Sequence, residues 1–136
     1  MSRLSAFLNP EVREQTKEIV ISDRFRDENG NPATVKIRSL SQSENEKLIA
    51  SATRRIKKHG VEEEYFDKIL YNKRLVLESV VEPDLHSEEL CRAYGVLDPL
   101  DVAGRMFWIG EHNKLLTEIA KISNISLDLE AEEAKN

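Results

Sequence analysis

The residues that most often carry enzymatic or metal chemistry are few in this chain, and they lie far apart in the sequence. The three histidines are His59, His86 and His112. A zinc site needs several ligands that converge on one point, and neighbours such as Glu111 and His112 leave a helix in different directions. The pattern therefore predicts surface histidines and no metal site.

Nucleophile and phosphate chemistry have equally little support. The single cysteine, Cys91, has apolar helical neighbours in Leu90 and Tyr94, which favours a small buried hydrophobic residue over an activated thiolate. The five glycines occur singly, so no glycine-rich loop could hold a phosphate. We predict a protein that is not an enzyme and uses no cofactor.

One basic cluster, residues 54–59, points towards nucleic acid. We expect a helix to end there at Gly60, where Lys and Arg side chains offset the negative end of the helix dipole. That interpretation already explains the cations. The net charge of -5 also disfavours non-specific binding to phosphates. A nucleic-acid-binding module built on this basic helix therefore stays as an alternative only.

The aromatic pair Phe107 and Trp108 is a stronger lead. Two consecutive bulky side chains on one helix cannot both face the core, so we expect one of them to be exposed or to lie at a bend. Packing at a helix junction and a partner-binding patch both remain open as interpretations.

Length and composition indicate what kind of domain would carry such a patch. The chain has 136 residues, of which 40% are hydrophobic and 33% charged. That length suits one domain with one core, and no apolar run is long enough to cross a membrane. The first ten residues do not match a secretory signal, so we expect a cytoplasmic protein. The first 60 residues carry net positive charge and the remainder net negative charge.

A β-hairpin is predicted near the N-terminus, after a flexible arm over residues 1–15. Ile19, Ile21 and Phe25 alternate onto one face, and after a turn the alternation resumes at Val35. Burial of this face favours an odd-numbered loop centred on Gly30, which would place Phe25 opposite Val35.

Helices are predicted for the rest of the chain. Ser41 and Glu44 form a capping-box pattern that starts a helix ending near Gly60. A long central helix should follow, and then three shorter ones. Their predicted ranges are 62–81, 88–94, 98–107 and 111–123. The predicted fold class is α+β and predominantly α-helical: an N-terminal β-hairpin followed by a small bundle of about four to five helices.

The predicted domain organisation is simple. A single α+β domain spans residues 16–125. Residues 126–136 form an acidic tail that has no apolar anchor beyond Leu129 except alanine, and we expect this tail to be disordered.

Several motifs in this order resemble the XkdN-like phage tail assembly chaperones. The resemblance covers about residues 17–122. It departs from the family pattern at Ile109, where proline is expected, and at His112, where an aromatic residue is usual. The matching segments are residues 20–32, 36–41, 44–46, 77–85, 94–96 and 106–111.

The resemblance implies a small, non-enzymatic phage or prophage protein of the bacterial cytoplasm. It implies binding and shielding of the tape measure protein until tail tube subunits polymerise around it, so the tape measure and the tail tube protein are the expected partners. No membrane partner is expected, and a homo-oligomer is left open. A cytosolic regulatory adaptor is the other alternative. The expected client surface comprises Tyr65, Phe66, Phe107 and Trp108.

Overall fold

The computed structural model describes residues 3–124, and the predicted tail over residues 126–136 lies outside this range. The structure is 46% helical and 20% strand. The elements, in chain order, are α1 (Arg3–Leu8), β1 (Thr16–Ile19), β2 (Val35–Arg38), α2 (Gln42–Ser51), β3 (Thr53–Lys58), β4 (Val61–Phe66), α3 (Lys68–Ser79), β5 (Val80–Glu82), α4 (Glu88–Ala93), α5 (Val102–Met106) and α6 (Ile109–Ile122).

The first sheet has the strand order β1-β2-β5 and is antiparallel. The predicted hairpin is confirmed, but its register is wrong, because Val35 pairs with Ile19 and not with Phe25. The loop between the strands contains its own turn, in which the Asp27 N–H donates to the Asn31 carbonyl at 2.8 Å. This turn takes Phe25 out of the sheet.

A second, two-stranded sheet occupies a region predicted to be helical. The capping box at Ser41 and Glu44 is confirmed, but α2 ends at Ser51, and β3 pairs with β4. His59 and Gly60 both have positive φ, at 53° and 79°, as a two-residue hairpin turn requires. The predicted fold class, predominantly helical with one hairpin and a bundle, is therefore wrong. The fold is α+β with two small sheets.

The predicted central helix is likewise shorter than expected. Asp67 caps α3 by accepting a hydrogen bond from the Leu70 N–H at 3.0 Å, so the helix begins six residues later than predicted. At its other end the chain turns into β5, which pairs with β2. The β-branched pair Val80 and Val81 thus completes the first sheet instead of the helix.

The capping residues that the sequence predicts at the starts of the later helices are confirmed. Ser87 caps α4, and Asp98 caps a short 3-10 turn at Pro99–Asp101 that leads into α5. The core forms where α3 and α6 pack against the first sheet, and its most deeply buried side chains are Ile37, Val76, Leu85, Val102, Leu115 and Ile119. No helix within residues 3–124 is long and apolar enough to span a membrane.

Candidate functional site

The four aromatic residues expected to bind a client do not form one surface. Tyr65 and Phe66 lie on β4, where both are exposed. Phe107 and Trp108 lie at the corner between α5 and α6. The first pair therefore belongs to the second sheet and the other pair to the helical side of the molecule.

Phe66 packs at the base of the β3–β4 hairpin. Its ring lies 5.5 Å from the ring of Tyr71 on α3, and the Tyr71 hydroxyl donates to the side chain of Asn45 on α2. Ile69 is two residues before Tyr71, and at about 100° per residue it points to nearly the opposite side of α3. Phe66 thus faces α2, while Ile69 faces α5 and α6.

At the α5–α6 corner, one of the two consecutive aromatic side chains is buried and the other is exposed. Phe107 is 8% exposed and makes an edge-to-face contact with Phe25, with ring centroids 5.8 Å apart. Trp108 is 64% exposed. The chain leaves the helical conformation at these residues, so the expectation that the pair cannot share one face of a helix is confirmed.

Arg24 holds this corner in place. Its guanidinium lies 3.9 Å from the centre of the Trp108 ring. It donates from Nε to Glu111 Oε2 at 3.0 Å and from a terminal nitrogen to the Met106 carbonyl at 2.9 Å. The exposed indole is thus a side chain with a fixed position, because the cation over its face is itself held by hydrogen bonds to two residues, Glu111 and Met106.

The buried Glu111 side chain is the third member of this group, with Arg24 and Trp108. Its carboxylate also accepts the Trp108 backbone N–H at 2.7 Å, which satisfies a free donor at the start of α6. The hydrogen bond from Arg24 is the largest cause that lowers the pKa of Glu111, to about 2, with smaller contributions from Ser22 and the Trp108 N–H. The carboxylate therefore stays ionised at neutral pH.

A groove lies beside this corner, between α3 on one side and α5 and α6 on the other. We call it the α3–α6 groove, and it has a volume of about 390 Å³. Two of its apolar side chains are strongly exposed: Ile69 by 72% and Ile109 by 84%. The residues that give the groove its apolar lining are Ile69, Leu100, Ala103, Phe107, Ile109 and Leu116.

The groove continues into a second depression of about 500 Å³ towards Leu97, whose side chain is fully exposed. Lys73 and Gly104 line both parts. An ion pair between Lys73 and Asp101, 3.0 Å long, borders the junction. Because Gly104 has no side chain, it leaves open space at this point.

A larger cleft of about 610 Å³ lies on the other side of Phe107. Arg24, Arg26 and Glu82 contribute to its wall, so charged groups surround its apolar floor. The α3–α6 groove, in contrast, has exposed isoleucines on its rim. It is therefore the better site for an apolar stripe of another chain.

Catalytic and metal chemistry find no support within the described part of the chain. No group of three or more His, Cys, Asp or Glu side chains among these residues could hold a metal ion. Cys91 is buried. The basic cluster lies on β3, not at a helix end, and Arg55 and Lys57 face Glu64 and Glu62 across the hairpin.

The groove residues were missed by sequence reasoning for a specific reason. Ile69 lies inside the predicted helix over residues 62–81, and no sequence pattern distinguishes it or Leu97 as exposed. An exposed isoleucine has the same signature in a sequence as a buried one. Only the packing of α5 and α6 against the N-terminal half of α3 shows which side is left uncovered.

Comparison with known proteins identifies a family and two relatives. A family model described as "Phage XkdN-like tail assembly chaperone protein" matches residues 4–135. The phage-like element PBSX protein XkdN of Bacillus subtilis (strain 168) is 31% identical over 124 residues, which cover 88% of this chain and 83% of that protein. The uncharacterized protein YqbN of the same organism is 30% identical over 130 residues, 92% of this chain and 87% of that one.

A solved structure has the same fold. The crystal structure of the protein YqbN matches with a TM-score of 0.74 and covers 89% of this chain and 96% of its own. At 24% identity in that alignment, the likeness shows the fold alone.

Proposed function

We propose, since the chain belongs to the phage XkdN-like tail assembly chaperone family, that it binds the tape measure protein and shields it during tail assembly. A tail assembly chaperone is not an enzyme. Its task is to keep another protein competent for assembly and then to release it. In this proposal the two proteins meet in the bacterial cytoplasm, and the arriving tail tube protein displaces the chaperone.

The observation that carries the proposal is the exposed apolar rim of the α3–α6 groove. Ile69 on α3 and Ile109 on α6 both line it and are strongly exposed, and the buried Phe107 also contributes to its lining. An amphipathic helix binds such a groove by placing its apolar stripe between the two walls. A tape measure is a long helical chain, and its apolar stripes would associate with one another before the tube encloses them.

The groove also has features that suit reversible binding. Its apolar lining is interrupted by polar side chains, namely Asn72, Lys73, His112 and Asn113. The apolar patch is thereby kept small enough for the free chaperone to remain dispersed. The polar groups also limit how tightly a purely apolar stripe can bind, which favours later exchange for tube subunits.

Trp108 lies beside the groove, and its side chain already has a fixed position before a partner binds. Its ring is held by Arg24 and stays exposed beside Ile109. A fixed aromatic side chain loses little conformational entropy when a partner covers it. We therefore include Trp108 in the proposed client surface with Phe107, and assign Tyr65 and Phe66 no direct contact with a client in the groove.

Co-expression with the tape measure protein encoded by the same phage tests the proposal. A tagged wild-type chaperone should recover soluble tape measure, and Ile109→Asp should reduce the recovery about tenfold or more, because a carboxylate then faces the client's apolar stripe. Val61→Asp is the matched control, since Val61 is also strongly exposed but lies on the β3–β4 hairpin. Equal recovery by both variants and the wild type would remove the groove as the client site.

Trp108→Ala is a second test of the proposal, with a smaller expected effect on tape measure recovery. We expect a loss of a few fold in tape measure recovery, because the indole borders the groove without lining it. Unchanged recovery at unchanged folding would remove Trp108 from the client surface. It would leave the role of Ile69 and Ile109 standing.

A further inference from the structure

The first helix, α1, is short, and its large apolar side chains are all exposed. Leu4, Phe7 and Leu8 have the spacing i, i+3 and i+4, so they form one stripe along the helix. Their exposed fractions are 64%, 78% and 58%. None of the six residues of α1 is buried. The molecule therefore has an apolar stripe that the rest of residues 3–124 leaves uncovered.

A helix of this length needs support from outside itself. Helix nucleation is unfavourable, so six residues alone do not form a stable helix in water. Two hydrogen bonds support the last turn of α1: Arg13 donates to the Leu8 carbonyl at 3.0 Å, and the Asn9 N–H donates to the Ser5 carbonyl at 3.3 Å. Neither of them buries the apolar stripe. A partner that covers the stripe would supply the missing stabilisation.

The α3–α6 groove of the same chain is a surface that fits such a stripe. Ile69 and Ile109 are strongly exposed along it, and no residue of α1 lines it. Along α6 the groove extends from Ile109 to Leu116, a distance of about 10 Å, and a six-residue helix is about 9 Å long. The groove and the stripe therefore agree in chemistry and in length.

The charges at one end of the groove favour one direction of α1. Arg3 is the one charged residue in the sequence of α1. The second depression, which continues the groove, contains four charged residues: Lys73, Asp98, Asp101 and Arg105. Lys73 is paired with Asp101, and Asp98 is exposed. With its N-terminus at this end, α1 would place Arg3 near the Asp98 carboxylate and would bring no acidic side chain there.

The attachment of α1 indicates that the groove of another copy is the one it fills. The strand that follows α1, β1, is joined to the C-terminal half of α6 by the ion pair of Lys17 with Glu118, which is 3.0 Å long. The groove instead lies along the N-terminal half of α6, and Ile109 in it stays 84% exposed. A helix attached towards one end of a molecule and an open groove towards the other end suit reciprocal exchange between two copies.

We propose that the protein forms a twofold-symmetric dimer in which α1 of each copy binds the α3–α6 groove of the other. The apolar stripe of α1 lies against the two exposed isoleucines, and Arg3 lies near Asp98. The free protein thus covers its own groove, and any client must displace α1 before it binds. The dimer itself does not require a tape measure; only this competition rests on the proposed function.

Analytical ultracentrifugation over a wide range of protein concentration tests the dimer. The wild type should pass from monomer to dimer as its concentration rises. Phe7→Asp should weaken dimerisation about tenfold or more, because it places a carboxylate against the isoleucines. Ala6→Asp is the matched control, since Ala6 is exposed on the opposite side of α1, and it should dimerise as the wild type does. A monomeric wild type, or equal dimerisation by Phe7→Asp, would overturn the proposal.

Disulfide trapping tests which groove α1 occupies. Phe7→Cys and Ile109→Cys are prepared separately, mixed and oxidised, and the native Cys91 is buried. The mixture should give a disulfide-linked dimer that contains one chain of each variant. A mixture of Phe7→Cys with Val61→Cys, whose site is exposed on the β3–β4 hairpin, should give far less.

Two results of the trapping experiment would contradict the exchange. One is the absence of the mixed dimer of Phe7→Cys with Ile109→Cys. The other is a disulfide within one chain of the double variant at low concentration, because α1 would then fill the groove of its own copy.

Tape measure recovery separates this proposal from the proposed function. Phe7→Asp should recover at least as much tape measure as the wild type, because its groove is open. A tenfold loss, as expected for Ile109→Asp, would overturn the competition, since α1 would then contact the client. No recovery by the wild type would remove the tape measure as the client, and the dimer would still be decided by ultracentrifugation and trapping.

Discussion

Arg24 is the residue on which the α5–α6 corner depends most. It joins the loop after β1 to the start of α6 by bonding Glu111, 87 residues away in the sequence. It also places its guanidinium over Trp108. Sequence reasoning found the two aromatic residues at this corner, since they are adjacent. It could not find Arg24, because nothing local links residue 24 to residue 111.

The ion pair predicts a specific pH dependence of stability. The pKa of Glu111 is lowered from its ordinary value of 4.5 to about 2, so folding favours the ionised carboxylate. This stabilisation is fully present above pH 4.5 and is lost as the pH falls from 4.5 towards 2. Glu111→Gln should lower the thermal midpoint most at neutral pH, and the gap to the wild type should close across that range.

Differential scanning calorimetry of the wild type and Glu111→Gln from pH 7 to pH 2 measures this gap, the difference between their thermal midpoints. Glu89→Gln is the control, because Glu89 is exposed on α4, and it should give a small gap at every pH. A gap between wild type and Glu111→Gln that stays constant down to pH 2 would contradict the assignment.

At the scale of elements, the β3–β4 hairpin shows where prediction from sequence failed and why. Arg, Lys and Glu are good helix formers, and a glycine after a run of cations is a typical helix stop. The same glycine with His59 also satisfies the positive φ of a hairpin turn. A helix that stops at Gly60 and a hairpin that turns there are therefore indicated by the same residues. Only the register that pairs Arg55 with Glu64 and Lys57 with Glu62 distinguishes them.

Helix starts were predictable where a side chain caps them. Ser41, Ser87 and Asp98 each accept a backbone N–H two or three residues later, and this is encoded within a few residues. β5 was not predictable in this way, because it pairs with β2, which lies more than forty residues earlier in the chain.

Gly60 tests the hairpin directly. Its φ of 79° is strained for any residue with a side chain, so Gly60→Ala should destabilise the hairpin by about 1 kcal/mol. Amides of β3 and β4 should exchange faster, while the thermal midpoint changes little because the hairpin lies outside the core. Gly110→Ala is the control: its φ is not positive, and its added methyl group meets no atom within 4 Å. A large drop in the midpoint for Gly60→Ala would contradict a locally stabilised hairpin.

At the scale of the whole molecule, one core supports both the sheet and the groove. Leu115 on α6 is fully buried, while Ile109, six residues earlier on the same helix, is 84% exposed. The sequence predicts one domain with one core, because apolar spacing indicates which face of a helix is apolar. It does not report which apolar residues the remaining elements leave uncovered.

The contrast between buried Leu115 and exposed Ile109 predicts different effects of substitution at the two positions. One should change stability, and the other should change binding. Leu115→Ala should lower the free energy of unfolding by about 2–5 kcal/mol, because it leaves a cavity in the core. Ile109→Asp should change it by less than about 0.5 kcal/mol. Urea unfolding followed by circular dichroism measures both. A large loss in Ile109→Asp would mean that Ile109 supports the fold instead of a client.

The claim that the α3–α6 groove holds the tape measure is tested most directly at Gly104. Apart from its chain neighbours and the backbone of its own helix, no atom lies within 4 Å of a methyl group added there, so Gly104→Ala should keep the fold, and in Gly104→Trp the indole should project into the groove, which Gly104 lines. Titration of a purified tape measure segment should give a wild-type Kd for Gly104→Ala and a Kd at least about tenfold weaker for Gly104→Trp. Equal binding by the two variants, at equal thermal midpoints, would contradict the claim.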